Sequence, residues 1–336
     1  MNTLSGLPLA DAHGRSVSYL RLSVTDRCNL RCVYCDNQMS NRLSHFDVLR
    51  YEEMLDLMGL ARGLGIGKVR LTGGEPFARK DFMEFLERAR TRYPDLRLRI
   101  TTNGTMLAPF APRLAAAGVD RVNISLDTLD PATFARVTGR DLYHAVRRAI
   151  DACLEAGLGV KINAVAMRGV NDQELPGFLA LARELPVDVR FIEYMPMGGS
   201  EWHAEQVWRA SDILAEAQAL ARITLLPRDA GDAGPAQMYA IEGGKGRLGL
   251  ITPLSNHFCA SCNRLRITSG GVLRTCLFSD KVYRLRPALR HPKLGLPAVE
   301  RILRLALRNK PVGADLLAAR RSGQGVSHTA MSSIGG

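Results

Sequence analysis

No stretch of this chain is apolar for the roughly 20 residues that a membrane-spanning helix needs, so no membrane partner is expected. Met1–Ala10 lack the basic-then-apolar layout of a secretory signal, which points to the cytoplasm. No internal repeat accompanies the secondary-structure alternation described below, and no segment is of low complexity. Acidic residues are in deficit: 33 Asp and Glu face 45 Lys and Arg, a net charge of +12. Such a surplus suits an anionic partner. The basic residues are spread along the chain and not gathered in a tail, which weighs against nucleic acid and favours a smaller polyanion. A disulfide framework is also missing, because an odd number of cysteines, seven, occurs without a secretory signal. That usage indicates metal or redox chemistry in a reducing compartment. What is present is ample apolar material, 46% of 336 residues, enough for one large domain plus an appendage, or two domains.

Six of the seven cysteines fall into two triplets, and Cys153 lies on an apolar helix face where packing explains it. The first triplet, Cys28, Cys32 and Cys35, has the spacing C-x3-C-x2-C directly after the alternating run Leu20–Thr25. Three thiolates at the end of a strand can hold one corner each of a 4Fe–4S cube and leave an iron open, whereas a fully ligated cube takes four. Arg27 and Arg31 flank the loop and are expected to favour thiolate. Zinc sites more often show C-x2-C pairs, and unrelated core cysteines do not cluster so tightly. The spacing resembles the signature of the radical S-adenosylmethionine (SAM) superfamily. The second triplet, Cys259, Cys262 and Cys276, is C-x2-C-x13-C. By spacing alone it suits a second cluster or a zinc staple with His257 as fourth ligand. Arg264 and Arg266 are two apart on an expected strand and share a face, a fit for phosphate oxygens.

Six β-type runs recur: Tyr19–Val24, Lys68–Thr72, Arg97–Thr102, Arg121–Leu126, Gly159–Val165 and Asp188–Tyr194. Between them Tyr51–Leu64, Asp81–Tyr93, Ala108–Ala117, Leu142–Ala156 and Asp172–Leu185 carry apolar residues at three- and four-residue spacing. This alternation predicts an α/β fold with a parallel sheet. Polar residues gather where strands end, so an incomplete (β/α)6 TIM-like barrel with its chemistry at the rim is expected. Residues 1–200 form that barrel, and residues 201–336 a C-terminal α+β extension with the second cluster. In the extension Ala204–Ala221 and Leu296–Arg308 read as helices, Met238–Ile241 and Arg247–Ile251 as strands, Asn263–Cys276 as a hairpin, and Gly313–Gly336 as a polar tail.

Several stretches together resemble the GTP 3′,8-cyclase family, radical SAM enzymes of molybdenum-cofactor biosynthesis. They are Leu20–Cys28, Arg70–Pro76, Thr101–Gly104, Asn123–Asp127, Phe191–Met195, Gly234–Ala236, Phe258–Arg266 and the terminal Ile334-Gly335-Gly336. The resemblance implies two 4Fe–4S clusters, on Cys28, Cys32 and Cys35 and on Cys259, Cys262 and Cys276. It places SAM at Tyr34, Gly74, Ser125 and Met195, and GTP at Arg21, Arg70, Thr101, Lys161, Arg264, Leu265 (through its backbone) and Arg266. It gives Arg264, Arg266, Gly335 and Gly336 a part in catalysis. It also implies an unidentified reductant, a homodimer, and handover of product to the cyclic pyranopterin monophosphate synthase. After Cys35 the chain reads Asp36-Asn37-Gln38 where the family has an apolar residue and proline, so that loop is expected to turn differently and to be more polar near SAM. The resemblance is tested against a radical SAM enzyme that modifies a peptide, and against a non-catalytic metal-bound nucleic-acid binder.

Overall fold

The computed structural model describes residues 9–35, 42–198, 202–227, 234–319, 327 and 329–334. Six strands and their helices alternate as the periodicity requires. They are β1 (Tyr19–Ser23), α1 (Tyr51–Gly63), β2 (Lys68–Thr72), α2 (Phe82–Arg92), β3 (Arg97–Thr102), α3 (Ala111–Ala116), β4 (Arg121–Ser125), α4 (Pro131–Thr138), α5 (Tyr143–Glu155), β5 (Gly159–Ala166), α6 (Leu175–Glu184) and β6 (Val187–Glu193). Strands β1 to β6 pair in sequence order, all parallel. The helices bury apolar stripes. In α5 that stripe is Val146, Ala149, Ile150 and Cys153, so Cys153 is a packing residue. Gly118 and Gly157 end α3 and α5 with φ of 69° and 74°, the left-handed turn at a helix C-terminus that glycine takes without strain.

The remaining elements are α7 (Ala210–Leu220), β7 (Ile223–Leu225), β8 (Gln237–Ile241), β9 (Arg247–Ile251), β10 (Arg264–Ile267), β11 (Val272–Arg274), β12 (Tyr283–Arg284), α8 (Arg286–Arg290), α9 (Gly295–Arg308), α10 (Gly313–Ala319) and α11 (Met331–Ile334). They do not form a separate sheet. Strand β9 adds in parallel to β6, and β10 adds in parallel to β1. The single sheet runs β12-β11-β10-β1-β2-β3-β4-β5-β6-β9-β8-β7. Between β9 and β10 the chain must cross from one edge of the parallel array to the other, and the Cys259–Cys262 turn lies on that crossing. The fold is therefore the incomplete barrel, extended at both edges by the C-terminal region.

One reading is corrected, and one helix is added to those expected. The stretch 313–336 is not simply a tail. Helix α10 forms in it, and Leu316, Leu317, Met331 and Ile334 pack with Met197 and Phe278 in a small second core. The segment before α5 holds a further helix, α4. Its start was written in the sequence: the Asp130 side chain accepts from Thr133 N–H at 2.7 Å, with proline at the first turn, a standard helix start. No helix among the described residues is long and apolar enough to cross a membrane.

Candidate active site

The loop after β1 is held from two sides. The backbone N–H groups of Arg31 and Val33 donate to the last carbonyls of α4, Thr138 O at 2.8 Å and Val137 O at 3.0 Å. From the β2 side, Gly74 N–H donates to Thr25 O at 2.8 Å and Glu75 N–H to Arg27 O at 2.7 Å. The approach is too close for a side chain. A Cβ at Gly74 would lie 2.9 Å from Cys28 N and closer still to the Arg27 carbonyl. Gly74 is thus glycine because the cysteine loop presses on it, whatever else the site binds.

Leu30 N–H and Asn103 Nδ2 donate to Cys28 Sγ at 3.4 and 3.5 Å, contacts of the kind that tune cluster sulfurs. As free thiols, Cys28 and Cys32 are pushed up by burial, Cys32 strongly. The expected thiolate-promoting effect of Arg27 and Arg31 does not prevail: burial, with the carboxylates Glu75 near Cys28 and Asp127 near Cys32, leaves both thiols raised. Tyr34 O–H donates to Asp127 Oδ2 at 2.6 Å, and Asp127 Oδ1 accepts from Val165 N–H at 2.8 Å. Burial raises the Asp127 carboxyl to about 6 in spite of these bonds.

Glu75 is fully buried beside this loop. Phe77 N–H, the Thr102 hydroxyl and Asn103 N–H all donate to it. Burial outweighs the three donors and lifts its carboxyl to about 7.

A cavity of about 360 Å³ joins the two cysteine triplets. All six thiol residues line it, as do Tyr34, Gly74, Ser125 and Met195, and Arg21, Arg70, Thr101, Lys161, Arg264 and Arg266. Leu265 does not line it. On β10 the alternation puts Arg264 and Arg266 towards the cavity and buries Leu265 completely in the core. Gly335 and Gly336, and the Asp36-Asn37-Gln38 departure, lie outside the described residues. Met331, on the last helix, does line the cavity.

The site is deeper than the strand-end rim. Arg266, Arg21, Arg70 and Arg99 are successive Cα partners across β10, β1, β2 and β3. Like charges placed opposite one another are destabilising; at the end of the row Arg99 is ion-paired with Asp120. Arg21 is held well below its ordinary range by burial and by Arg266. Arg266 is brought down to about 10 by burial and Arg264. Tyr19 tempers the row: Arg70 Nε donates to its hydroxyl. Burial would raise that phenol, but Arg70 and Arg21 bring it down to about 8.

Across the cavity, Asn123 partners Lys161, and Asn163 partners Arg190. Lys161 Nζ has Asp188 at 3.6 Å. Arg190 is 6% exposed, and its Nε and Nη2 have no partner; nor have Asn123 Oδ1 and Asn163 Oδ1. Sequence reasoning missed Arg99, Asn123, Asn163 and Arg190. Their signal was a polar residue at every second position of an otherwise apolar strand, which marks the face turned to the cavity.

The second triplet fits a cluster better than a zinc staple. His257 Nδ1 is engaged with Pro253 O at 2.8 Å, and His257 does not line the cavity. Among the described residues no group of three His, Cys, Asp or Glu side chains is arranged to hold a single metal ion, as a compact tetrahedral zinc site would need. Gly313 supplies the cradle: a Cβ there would sit 3.2 and 3.3 Å from Cys276 and Cys259 Sγ. Burial pushes the Cys262 thiol up, but Arg264 and Lys310 outweigh it and bring it down to about 7. Burial leaves Cys276 raised. Three soft thiolate donors at each end of one cavity suit two iron–sulfur clusters.

A parallel partial barrel that pins a three-cysteine loop over its first strand end is the frame of a radical SAM enzyme. Residues 22–182 match the Radical SAM superfamily, and residues 187–316 match Molybdenum Cofactor Synthesis C. Relatives named GTP 3′,8-cyclase align over most of the chain. That of Paracoccus denitrificans is 42% identical over 98% of this chain and 96% of its own, and that of Syntrophomonas wolfei 43% over 84% and 87%. The chain belongs to the GTP 3′,8-cyclase family. Among solved structures, Streptococcus suis SuiB bound to its precursor peptide SuiA is similar at TM-score 0.63 and 14% identity, over 96% of this chain and 77% of SuiB. At that identity the likeness concerns the fold alone.

Proposed function

We propose that the cavity holds SAM at the Cys28 loop and GTP between the arginine row and the second triplet, and that GTP is there converted to 3′,8-cyclo-7,8-dihydro-GTP, the first step of molybdenum-cofactor biosynthesis. The observation that carries the reading is a single cavity with a cysteine triplet at each end and a row of four adjacent arginines between. When bound at a reduced cluster, SAM would supply the radical chemistry that removes the hydrogen atom from C3′ of GTP; C3′ would then bond to C8 of guanine, and one electron and one proton would complete the 7,8-dihydro product.

The protein's part is placement. The triphosphate neutralises Arg21, Arg70 and Arg266 through forked, charge-assisted bonds, with Lys161 and Arg190 on the opposite wall. Arg264 and the second triplet take the guanine end. Tyr34, Gly74, Ser125 and Met195 border the SAM end. The orphaned amide oxygens of Asn123 and Asn163 can accept from ribose hydroxyls. Held so, C3′ and C8 meet without a search, and bulk water is kept away. The terminal Gly335-Gly336 belong to the catalytic set on the same family likeness.

A peptide substrate brings no triphosphate to set against Arg21, Arg70 and Arg266, which face one another across neighbouring strands. A nucleic-acid duplex would need the cations on an outer face. The reading further includes an external one-electron reductant, transfer of product to the cyclic pyranopterin monophosphate synthase, a cytoplasmic setting and association of two copies, which sedimentation checks.

The test is anaerobic incubation of reconstituted protein with GTP, SAM and dithionite. The expected result is about six to eight irons per chain and equal yields of 5′-deoxyadenosine and cyclised nucleotide. Formation of 5′-deoxyadenosine without cyclised nucleotide would reject GTP as substrate. About four irons would reject the second cluster.

A further inference from the structure

Three charged side chains are buried together next to the second cysteine turn, and none of them lines the cavity. Asp11 and Arg15 come from the arm before β1, and Lys310 from the turn between α9 and α10. Arg15 Nε bonds Asp11 Oδ2 at 2.6 Å, and Lys310 Nζ lies 3.9 Å from the same oxygen. Two cations thus share one carboxylate, and their other donors go to backbone carbonyls. Arg15 Nη1 donates to Cys259 O at 2.9 Å, and its Nη2 to Pro311 O at 3.1 Å and Lys310 O at 3.4 Å. Lys310 Nζ donates to Cys262 O at 2.8 Å and to Arg264 O at 3.1 Å.

The side chain of Lys310 is 1% exposed, and an ammonium so deep is costly unless it is paired and fully bonded. An apolar side chain of similar length would fill the same space without that cost. What it could not do is grip carbonyls. Lys310 grips Cys262 O and Arg264 O, and Arg15 grips Cys259 O, so two of the three cysteines of the second triplet and the arginine that follows them are held from one buried cluster.

We propose that Asp11, Arg15 and Lys310 form a buried clamp that positions the second cluster. It joins the arm before β1 and the turn after α9 to the Cys259–Arg264 turn, fixes the two cysteines relative to Arg264, and sets the positive charge beside the cluster. The proposal rests on the reading of Cys259, Cys262 and Cys276 as cluster ligands. The three are positioning residues and touch neither substrate nor cofactor. A rigid turn matters because the cluster and Arg264 must meet one nucleotide together, and a small misplacement there costs rate steeply.

The test uses full-length, anaerobically reconstituted protein. Lys310→Met keeps length and removes the charge and both donors. The expected result is a lost or shifted GTP-induced change in the EPR of the second cluster and a KM for GTP raised about tenfold or more, with the SAM-induced change at the first cluster retained. Wild-type EPR response and KM in this variant would overturn the clamp. Should Lys310→Met not fold, Asp11→Asn carries the test. It leaves the two cations without their counter-charge, so the second cluster's reduction potential rises and the first cluster's does not. An unmoved potential would overturn the proposal. Wild-type protein with one cluster only would overturn the ligand reading and the clamp with it, a result distinct from two normal clusters and a silent Lys310→Met.

Discussion

Arg190 has two nitrogens with no partner in a site it can hardly leave, and burial brings its guanidinium down to about 9. Asp188 compensates this charge only in part, and a buried charge that is incompletely bonded is a standing cost that an anionic ligand removes. Hydrogen bonds to charged groups contribute about 1.5–3 kcal/mol each. Arg190→Leu is therefore expected to weaken GTP binding roughly ten- to hundredfold while leaving SAM binding unchanged, as anaerobic calorimetry would read. The same variant should raise the melting temperature of the ligand-free protein. Glu75 gives a pH prediction. Its folded value of about 7 stands above the ordinary 4.5, so between those values the folded chain keeps a proton that the unfolded chain has released. Stability from this group is fully present below pH 4.5 and is lost as pH rises towards 7, by roughly 3 kcal/mol at most. Urea midpoints of the cluster-free protein should fall across this window. Glu75→Gln should flatten that slope.

At the scale of elements, the cysteine turns are shaped by what packs against them. The β2 turn presses on the Cys28 loop so closely that Gly74→Ala must move it. The expected outcome is loss of the first cluster, about half the iron, and no SAM cleavage, with the second cluster's EPR signal intact. Gly313→Ala makes the opposite selection. Its added methyl meets Cys259 and Cys276 Sγ within 3.3 Å, so the second cluster should be lost or distorted while SAM cleavage persists without cyclised product. Metal analysis with product chromatography separates the two. Helix α4 matters in the same way, because its last carbonyls anchor the Cys28 loop. Asp130→Ala removes its cap at a cost of about 1 kcal/mol.

Over the whole molecule, the C-terminal region adds three strands to each edge of the parallel array, the innermost of each three parallel to it, and carries the second triplet across the opening. The chain end then returns to the cavity: Ile334 is buried with Met197 and Phe278, and Met331 lines the wall. Truncation before Met331 should leave both clusters and SAM cleavage in place. It should reduce cyclised nucleotide at least a hundredfold, as chromatography of the quenched reaction would show. Loss of iron in the truncated protein would instead assign the tail a purely structural part.

Much of this was legible in the residues. The six strands, the amphipathic helices between them and both triplets follow from period and spacing, which are local properties. So does the inward face of β10, because strand side chains alternate. Helix α4 was legible too, through Asp130-Pro131 at its start and Gly139 at its end. Other features were not local. The row from Arg266 to Arg99 exists only because four strands bring one residue each into register. Gly74 is required by a backbone some 47 positions earlier in the chain. The meeting of Asp11, Arg15 and Lys310 joins segments nearly 300 residues apart. The sequence by itself determined the chemistry, six thiols and a surplus of guanidiniums, because side-chain type and short-range period fix those. Only the tertiary structure decided that the thiols face one cavity and that the cations line its interior, because sheet register and edge pairing are set by contacts between distant segments.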